Sequence, residues 1–437
     1  MHEYREEEER RSSPPGPPDE RVAASWQQMV DVGDLHYDAA AYSSAADYFT
    51  SALEQLEDSA APRPSWEDNF ELRRRLVDCL HEQGLEEDAL RVLEDAESRI
   101  PAGEANAMAR LELRRAQIYA QQGDYAGATE LAKNVFRTLG MTEAHREVGK
   151  ALLVLGKCAF RVGQIAKSQE YYQDALANYR RIGDERAQIQ VILNLGVIAK
   201  NECRWERALR LFERAEQLCA TTGATFERTS LELNRAVLFR KMGRHSHALA
   251  SAETALRIAR TMGDRARLTK LRLLMGQLLI DQSSFQQAEK QLLEARVLAE
   301  RQGSQRELAL ADEFLGDLMM ARNQLPEAEA NYKLAAERAS LISASNDILA
   351  EVARRRAELA YRRGDFITAI AEAEAGLVIA DSCGEDFEKP FMNRICAQSY
   401  MALDQPARAL EFFELALRGF HGLRSPVEIG TTLHFMA

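Results

Sequence analysis

Two short stretches of this sequence come nearest to a pattern that could support chemistry. The segment LGKCAF at residues 155–160 resembles the end of a phosphate-binding loop. Such a loop needs a second glycine five residues before its last one, where this chain has Ala151, and Ser or Thr where it has Cys158. His245 and His247 could offer two imidazoles to a metal ion, but no further His or Cys lies nearby in the sequence. We therefore expect a helix at the first stretch and solvent-exposed histidines at the second.

The other nucleophiles and bases form no recognisable catalytic set. The chain contains no G-x-S-x-G or H-E-x-x-H motif. Its cysteines are all single, with no C-x-x-C pair among Cys79, Cys158, Cys203, Cys219, Cys383 and Cys396. Single, scattered cysteines of this kind are typical of buried, free thiols in the reducing cytoplasm. The sequence predicts a protein that is not an enzyme, with no catalytic residue, no metal and no cofactor.

Composition excludes several further classes of function. The chain has 437 residues, 46% of them hydrophobic, and a formal net charge of −12. An acidic protein is not expected to bind nucleic acid directly. No run of about 18 apolar residues is present, so no membrane span or membrane partner is expected. Residues 1–20 are charged and proline-rich without the apolar segment of a signal peptide, which predicts a disordered tail on a cytoplasmic protein.

The dominant feature of the sequence is an internal repeat of about forty residues. Small residues recur in three columns whose register holds over ten copies, and a period in this range decides the fold class. The first column is Gly33, Val77, Ala116, Gly156, Gly196, Ala236, Gly276, Gly316, Ala357 and Ala397. The second is Ala45, Ala89, Ala128, Ser168, Ala208, Ala248, Ala288, Ala328, Ala369 and Ala409. The third is Ala52, Ala96, Val135, Ala175, Ala215, Ala255, Ala295, Ala335, Gly376 and Ala416.

Small side chains at fixed positions indicate close helix packing. Two antiparallel helices approach to the short end of the 8–10 Å range only where the crossing residues are small. Large residues such as Tyr172, Phe212 and Tyr332 follow the second column by four positions, where they can fill the space beside it. Turns such as QQGDY and RRGDF carry a glycine suited to ending a helix. Each unit is therefore predicted to be a helix, a tight turn and a second helix.

The segments NLGVIAKNECRWERALRLFERA and ELAYRRGDFITAIAEAEAG carry the pattern of the tetratricopeptide repeat (TPR). The resemblance extends over residues 25–437, and the long period is similar to that of kinesin light chains, Pins-type adaptors, Rap-type regulators and MalT-like activators. It implies an all-α, right-handed superhelical solenoid of about ten repeats plus a half repeat. First helices would line the concave side. The second and third units match the pattern least well.

The columns also predict a domain organisation. After the tail of residues 1–20, a solenoid is expected over residues 21–437, with repeats that start near 26, 70, 109, 149, 189, 229, 269, 309, 350 and 390. A half repeat at 426–437 follows them. Because no polar capping helix follows, we interpret the chain as a fragment of a longer protein in preference to a self-capped array.

A stripe along the concave side of the first helices is the candidate site. Positions spaced i, i+4, i+7 and i+11 share one helix face. In the central repeats this face and its neighbours hold cations and amides in a protein that is acidic overall. The candidate peptide-binding residues are Lys150, Lys157, Arg161, Asn194, Lys200, Asn201, Asn234, Arg240, Lys241 and Lys270. Amides can pair with a peptide backbone, and cations can bind carboxylates; solvated polar residues, or a groove filled by a neighbouring domain, are the alternatives.

These observations lead to one preferred function and one rival. The preferred function is a non-enzymatic scaffold that binds a protein or peptide, including acidic groups, in the concave groove. The rival is a regulatory or sensory TPR arm of a larger signalling protein or transcription activator, truncated at residue 437. Apolar faces at uncapped ends make a homodimer an open alternative to a monomer.

Overall fold

The computed structural model describes residues 25–38, 41–58, 65–262 and 264–436, so the tail predicted for residues 1–20 lies outside the described residues. Every regular element in these ranges is an α-helix. In chain order, α1–α21 are Trp26–Asp38, Tyr42–Asp58, Trp66–Gln83, Glu86–Ser98, Ala105–Gln122, Tyr125–Leu139, His145–Arg161, Ile165–Arg181, Glu185–Asn201, Trp205–Thr222, Thr225–Lys241, His245–Met262, Arg265–Asp281, Phe285–Arg301, Gln305–Ala321, Leu325–Ser340, Asp347–Arg362, Phe366–Cys383, Lys389–Ala402, Pro406–Leu423 and Pro426–Met436.

The helices pack as consecutive pairs, α1 with α2 through α19 with α20, and α21 follows alone among the described residues. The predicted all-α, TPR-like solenoid is thereby confirmed. The chain divides into two compact units, Met1–Ala102 and Gly103–Ala437. The first unit holds α1–α4 and the second holds α5–α21. The candidate site lies entirely in the second unit.

The three columns of small residues lie in the helix contacts, as the sequence predicts. Every member of the columns is buried. Gly196 shows why the residue must be small: a Cβ added to it would overlap the ring of Phe212, sixteen positions later. Gly316 stands in the same relation to the ring of Tyr332. Because glycine has no side chain, it leaves a space on the first helix of the pair. An aromatic ring of the second helix fills that space.

Substitution of Gly196 tests this packing directly. We expect Gly196→Ala to lower the free energy of unfolding by about 1–3 kcal/mol, because the added methyl group overpacks the contact with Phe212. Urea denaturation followed by circular dichroism measures the change. Gly430→Ala is the matched control: it also lies within a helix, and an added Cβ there meets nothing within 4 Å. A Gly196→Ala protein as stable as this control would contradict the packing.

The turns inside the pairs need one residue of left-handed backbone. Gly163 has it at the α7–α8 turn, with φ of +80°. At the equivalent place in the α9–α10 turn, Cys203 has φ of +56° although it is not a glycine. Turn geometry is therefore retained where the glycine signal is missing from the sequence, which is why the fifth repeat still forms its pair.

The first helices of the second unit form its inner layer. Each first helix from α5 to α17 contacts the first helix of the next pair, whereas successive second helices approach each other less. A stack that is closer on one side curves towards that side. The face formed by α5, α7, α9, α11, α13, α15, α17 and α19 is called the inner face below.

The second unit also makes contacts between repeats that are far apart in sequence. Side chains of α20, including Phe420 and Leu423, belong to the same apolar core as those of α5–α11. The indole Nε1 of Trp205 donates a hydrogen bond of 3.1 Å to the carbonyl oxygen of Leu423. Trp205 is therefore buried, and part of what covers it belongs to a repeat 218 positions away in the sequence.

Candidate peptide-binding face

A buried cap fixes the backbone at one edge of the candidate site. Asn346 precedes α17 and is 1% exposed; its Oδ1 accepts from the backbone N–H of Leu349 at 3.1 Å. Its Nδ2 donates to the carbonyls of Ala339 and Ser343, both at 3.0 Å. Such a cap defines where the helix starts. Asp347, the first residue of α17, is thereby held at the helix N-terminus on the inner face, where the helix dipole favours its charge.

Four cations from three different repeats converge near Asp347. Arg306 of α15 forms a bidentate pair with it, with N–O distances of 2.8 and 2.5 Å. Arg161 of α7 approaches the same carboxylate at 3.9 Å. Lys270 of α13 lies 3.7 Å from Glu307 of α15. Together with Lys157 of α7, these residues form what we call the inner cation cluster: Lys157, Arg161, Lys270 and Arg306.

The inner cation cluster carries more positive charge than its carboxylates neutralise. Its four cations face two carboxylates, Asp347 and Glu307. Lys157 forms no ion pair with any residue that the structure describes. Burial, together with Lys270 and Arg161 nearby, lowers the pKa of Lys157 to about 8. The lysine is thus half-buried and charged at pH 7, and among its charged neighbours Lys270 and Arg161 influence it most.

Unlike Lys157, Asp347 lies beside partners of opposite charge. Burial acts to raise the pKa of its carboxyl, but Arg306, with a smaller contribution from Arg161, holds that pKa well below its usual range. The carboxylate is therefore ionised throughout the neutral range and already engaged by its bidentate partner. It cannot also neutralise Lys157, so an anion from outside the chain would meet unsatisfied positive charge here.

A second group of charges lies further along the inner face. Lys241 of α11 donates to Oε1 of Glu385 at 2.9 Å, and the two side chains are 10% and 1% exposed. Lys200 of α9 is close to this pair but forms no ion pair of its own among the described residues. Burial and the charge of Lys241 lower the pKa of Lys200 to about 8. Glu385 precedes α19, so this pair links α11 to a repeat far along the chain.

The remaining candidate residues are more dispersed. The Oδ1 of Asn194 accepts from Gln190 Nε2 at 3.4 Å, within the same helix. Asn234 is half-buried on α11, and Lys150 is half-buried on α7. Asn201 is 6% exposed, and its Oδ1 has no hydrogen-bond partner in the described part of the chain. Arg240 is already paired within the chain, since its Nε donates to Asp281 of α13 at 2.9 Å.

The structure thus brings together five of the ten candidate residues, in two groups, and adds partners that the stripe did not include. Lys157, Arg161 and Lys270 form one group; Lys200 and Lys241 form the other. The added partners are Arg306, Glu307, Asp347 and Glu385. Arg306 and Asp347 lie one helical turn before the first stripe position of their repeats, so extending the stripe by four residues would have found them. Glu385 lies between helices, where the stripe gives no signal.

The two stretches that came nearest to a chemical motif in the sequence lie in a repeat helix and at the exposed start of another helix. Residues 155–160 lie within α7, and His245 and His247 are both exposed at the start of α12. Nδ1 of His245 is 3.8 Å from Asp281, and the ring of His247 packs 5.4 Å from that of Phe239. Within the described residues, no group of three or more His, Cys, Asp or Glu side chains is arranged to hold a metal ion. None of the described helices has the length and apolarity needed to span a membrane.

Comparisons with known proteins agree with this architecture. Residues 147–221 match the tetratricopeptide repeat family model, and no curated protein sequence matches the chain. Among solved structures, the Rap conjugation gene regulator of the plasmid pLS20, in complex with the Phr* peptide, aligns with 16% identity and a TM-score of 0.53. That alignment covers 74% of this chain and 97% of the regulator.

Two further solved structures resemble the chain less closely. The apo form of RapI aligns with 13% identity and a TM-score of 0.47, over 62% of this chain and 97% of that one. Aspartyl phosphate phosphatase F from Bacillus subtilis aligns with 10% identity and a TM-score of 0.44, over 95% and 98% of the two chains. At these identities the likeness is one of fold. The chain is an all-α, TPR-like solenoid in which residues 147–221 match the tetratricopeptide repeat itself.

Proposed function

We propose that this protein is a scaffold that binds an acidic segment of a protein or peptide partner on the inner face of its second unit. The observation that carries the proposal is the inner cation cluster, in which four cations face two carboxylates. Buried charge without a partner is costly, so an unneutralised cluster favours a ligand that brings negative charge. The peptide complex of the pLS20 regulator, a protein of similar fold, is consistent with a peptide as the ligand.

The amides of the same face extend this proposal. Asn194 and Asn234 occupy equivalent places on α9 and α11 and are both half-buried. Each amide can donate to and accept from a peptide backbone, which adds affinity that does not depend on the peptide's charge. In the proposed complex, cations at one end of the face bind carboxylates while amides bind the backbone further along. Lys150 and Arg240 would then lie outside the central contact.

Removal of one unpaired cation tests the proposal. With dye-labelled hexaglutamate as the probe, we expect Lys157→Gln to weaken binding by about tenfold or more, because a hydrogen bond to a charged group contributes roughly 1.5–3 kcal/mol. Fluorescence anisotropy at low salt measures the dissociation constant. Lys290→Gln is the matched control, since Lys290 is exposed on a second helix. Equal affinities of the Lys157→Gln and Lys290→Gln proteins would contradict the proposed site.

The pKa of Lys157 adds a pH dependence to this measurement. Because burial and neighbouring cations lower that pKa to about 8, Lys157 loses its charge as pH rises above 8, while the carboxylates of hexaglutamate stay ionised. Affinity should therefore decrease between pH 7 and pH 9, and the decrease should be smaller in the Lys157→Gln protein. An identical pH profile for both proteins would show that Lys157 does not contact the peptide.

A further inference from the structure

The contacts between distant repeats in the second unit have a polar centre at the edge of the inner face. On one side are Asn201, Trp205 and Lys241; on the other are Glu385, Phe387 and Leu423. We call these six residues the closing seam. The backbone N–H of Asp386 donates to the carbonyl of Asn201 at 3.4 Å, next to the 2.9 Å ion pair of Lys241 and Glu385.

Aromatic contacts surround that ion pair. The Nζ of Lys241 lies 4.5 Å from the centre of the Phe387 ring, a cation–π arrangement. Phe387 in turn meets Trp205 edge to face, with ring centres 6.3 Å apart. The seam is therefore well packed, yet few of its contacts are backbone hydrogen bonds. Repeats on either side keep their own neighbour contacts, which provide most of the stability of a solenoid.

The seam places a carboxylate of this chain where the proposed partner would place one of its own. Lys241 and Lys200 lie on the inner face, and the charged groups around Glu385 are these two lysines, Glu351 of α17 and Glu388. Glu388 and Glu351 are themselves paired with Arg354 and Arg355, so Glu385 is the carboxylate that Lys241 engages. A partner's carboxylate cannot approach Lys241 without repulsion unless Glu385 moves away.

We propose that Glu385 is an internal competitor of the partner's acidic segment and that the closing seam opens when the partner takes Lys241. This inference rests on the proposed function, because the competing ligand is the acidic segment assigned above. Closed and open forms are then two states of the second unit, and a ligand that binds the open form better shifts the population towards it. By the same linkage, weakening the seam must raise affinity for the ligand.

Trp205 provides a reporter of the seam that needs no label. The chain has three tryptophans, and the other two, Trp26 and Trp66, are in the first unit. In a Trp26→Phe, Trp66→Phe background, fluorescence arises from Trp205 alone. Opening exposes its indole, which is 3% exposed in the closed form, and shifts its emission to longer wavelength.

The decisive variant is Glu385→Gln in that background. We expect a red-shifted emission without any ligand and an affinity for hexaglutamate at least fivefold higher than that of the parent. Glu206→Gln is the matched control, because Glu206 pairs with Arg424 beside the seam but is about half exposed; it should change neither quantity. Circular dichroism shows whether each variant keeps its helices. Unchanged emission, or unchanged or lower affinity, in a folded Glu385→Gln protein would overturn the proposal.

If the parent and Glu385→Gln proteins both fail to bind hexaglutamate, the proposed function fails, while the ligand-free emission of Glu385→Gln still decides whether Glu385 holds the seam.

Discussion

Replacement of Phe212 with alanine is expected to lower the free energy of unfolding of the central repeats by about 3–5 kcal/mol. The ring is 1% exposed and fills the space beside Gly196 on the partner helix, so its removal leaves a cavity inside the α9–α10 pair. Because repeats can unfold separately, hydrogen exchange of peptides from α9 and α10 is the appropriate measurement. Exchange from these helices that matches the wild type would contradict the packing.

We expect the effect of Gly196→Ala on stability to change sign when Phe212 is absent. Gly196→Ala destabilises the wild-type protein because its methyl group meets the Phe212 ring. In the Phe212→Ala background that ring is absent, and alanine is favoured over glycine within a helix by about 1 kcal/mol. Gly196→Ala should therefore stabilise the Phe212→Ala protein. Destabilisation by the same amount in both backgrounds would show that the two residues are not coupled.

Loss of the buried guanidinium of Arg355 should have an effect of similar size. Arg355 of α17 reaches Glu313 of α15 at 3.0 Å and Asp317 at 2.6 Å. Glu313 is fully buried and Arg355 nearly so. Removing one partner of a buried pair leaves an uncompensated charge and typically costs about 3–5 kcal/mol. We expect Arg355→Met to lower the free energy of unfolding by that amount, as measured by urea denaturation at pH 7.

Two controls distinguish the effect of an uncompensated buried charge from the effect of lost packing in Arg355→Met. The double variant Glu313→Met, Arg355→Met removes both buried charges and should recover most of the lost stability. Burial already raises the pKa of Glu313 in the wild type despite Arg355 beside it. Without Arg355 the carboxyl takes up a proton more readily, so the destabilisation of Arg355→Met should shrink as pH is lowered. A loss that is independent of pH would indicate lost packing instead of an uncompensated carboxylate.

The helix pairing could be predicted from the sequence because its cause is local. Close crossing of two helices demands small residues such as Gly196 and Ala208 at fixed positions, and that demand recurs in each repeat. The contacts that require small residues, such as that of the Phe212 ring with Gly196, are formed within a single helix pair. A repeat can depart from the sequence pattern if its backbone geometry is retained. Cys203, for example, adopts the left-handed backbone at a turn that lacks glycine.

The candidate site was less predictable because its geometry depends on curvature. The stripe gave the inward residues of single helices, including Lys157 and Lys241. Which repeats face each other depends on a small rotation per repeat, added up over several repeats, and no residue pattern encodes that sum. The pairing of Arg161 with Asp347 and of Lys241 with Glu385 could therefore not be read from spacing. Peptide binding by the ten candidate residues stays a prediction.

The bond between Trp205 and Leu423 has a consequence for how the chain is made. Most contacts of the second unit join neighbouring helices and can form as soon as both leave the ribosome. The acceptor of the Trp205 indole follows 218 residues later, which is roughly 10–45 s of synthesis at 5–20 residues per second. A nascent molecule in which α10 has already folded therefore leaves the Trp205 indole without this acceptor until α20 is made. An acidic ligand present during translation would meet such a molecule before Glu385 exists to compete with it.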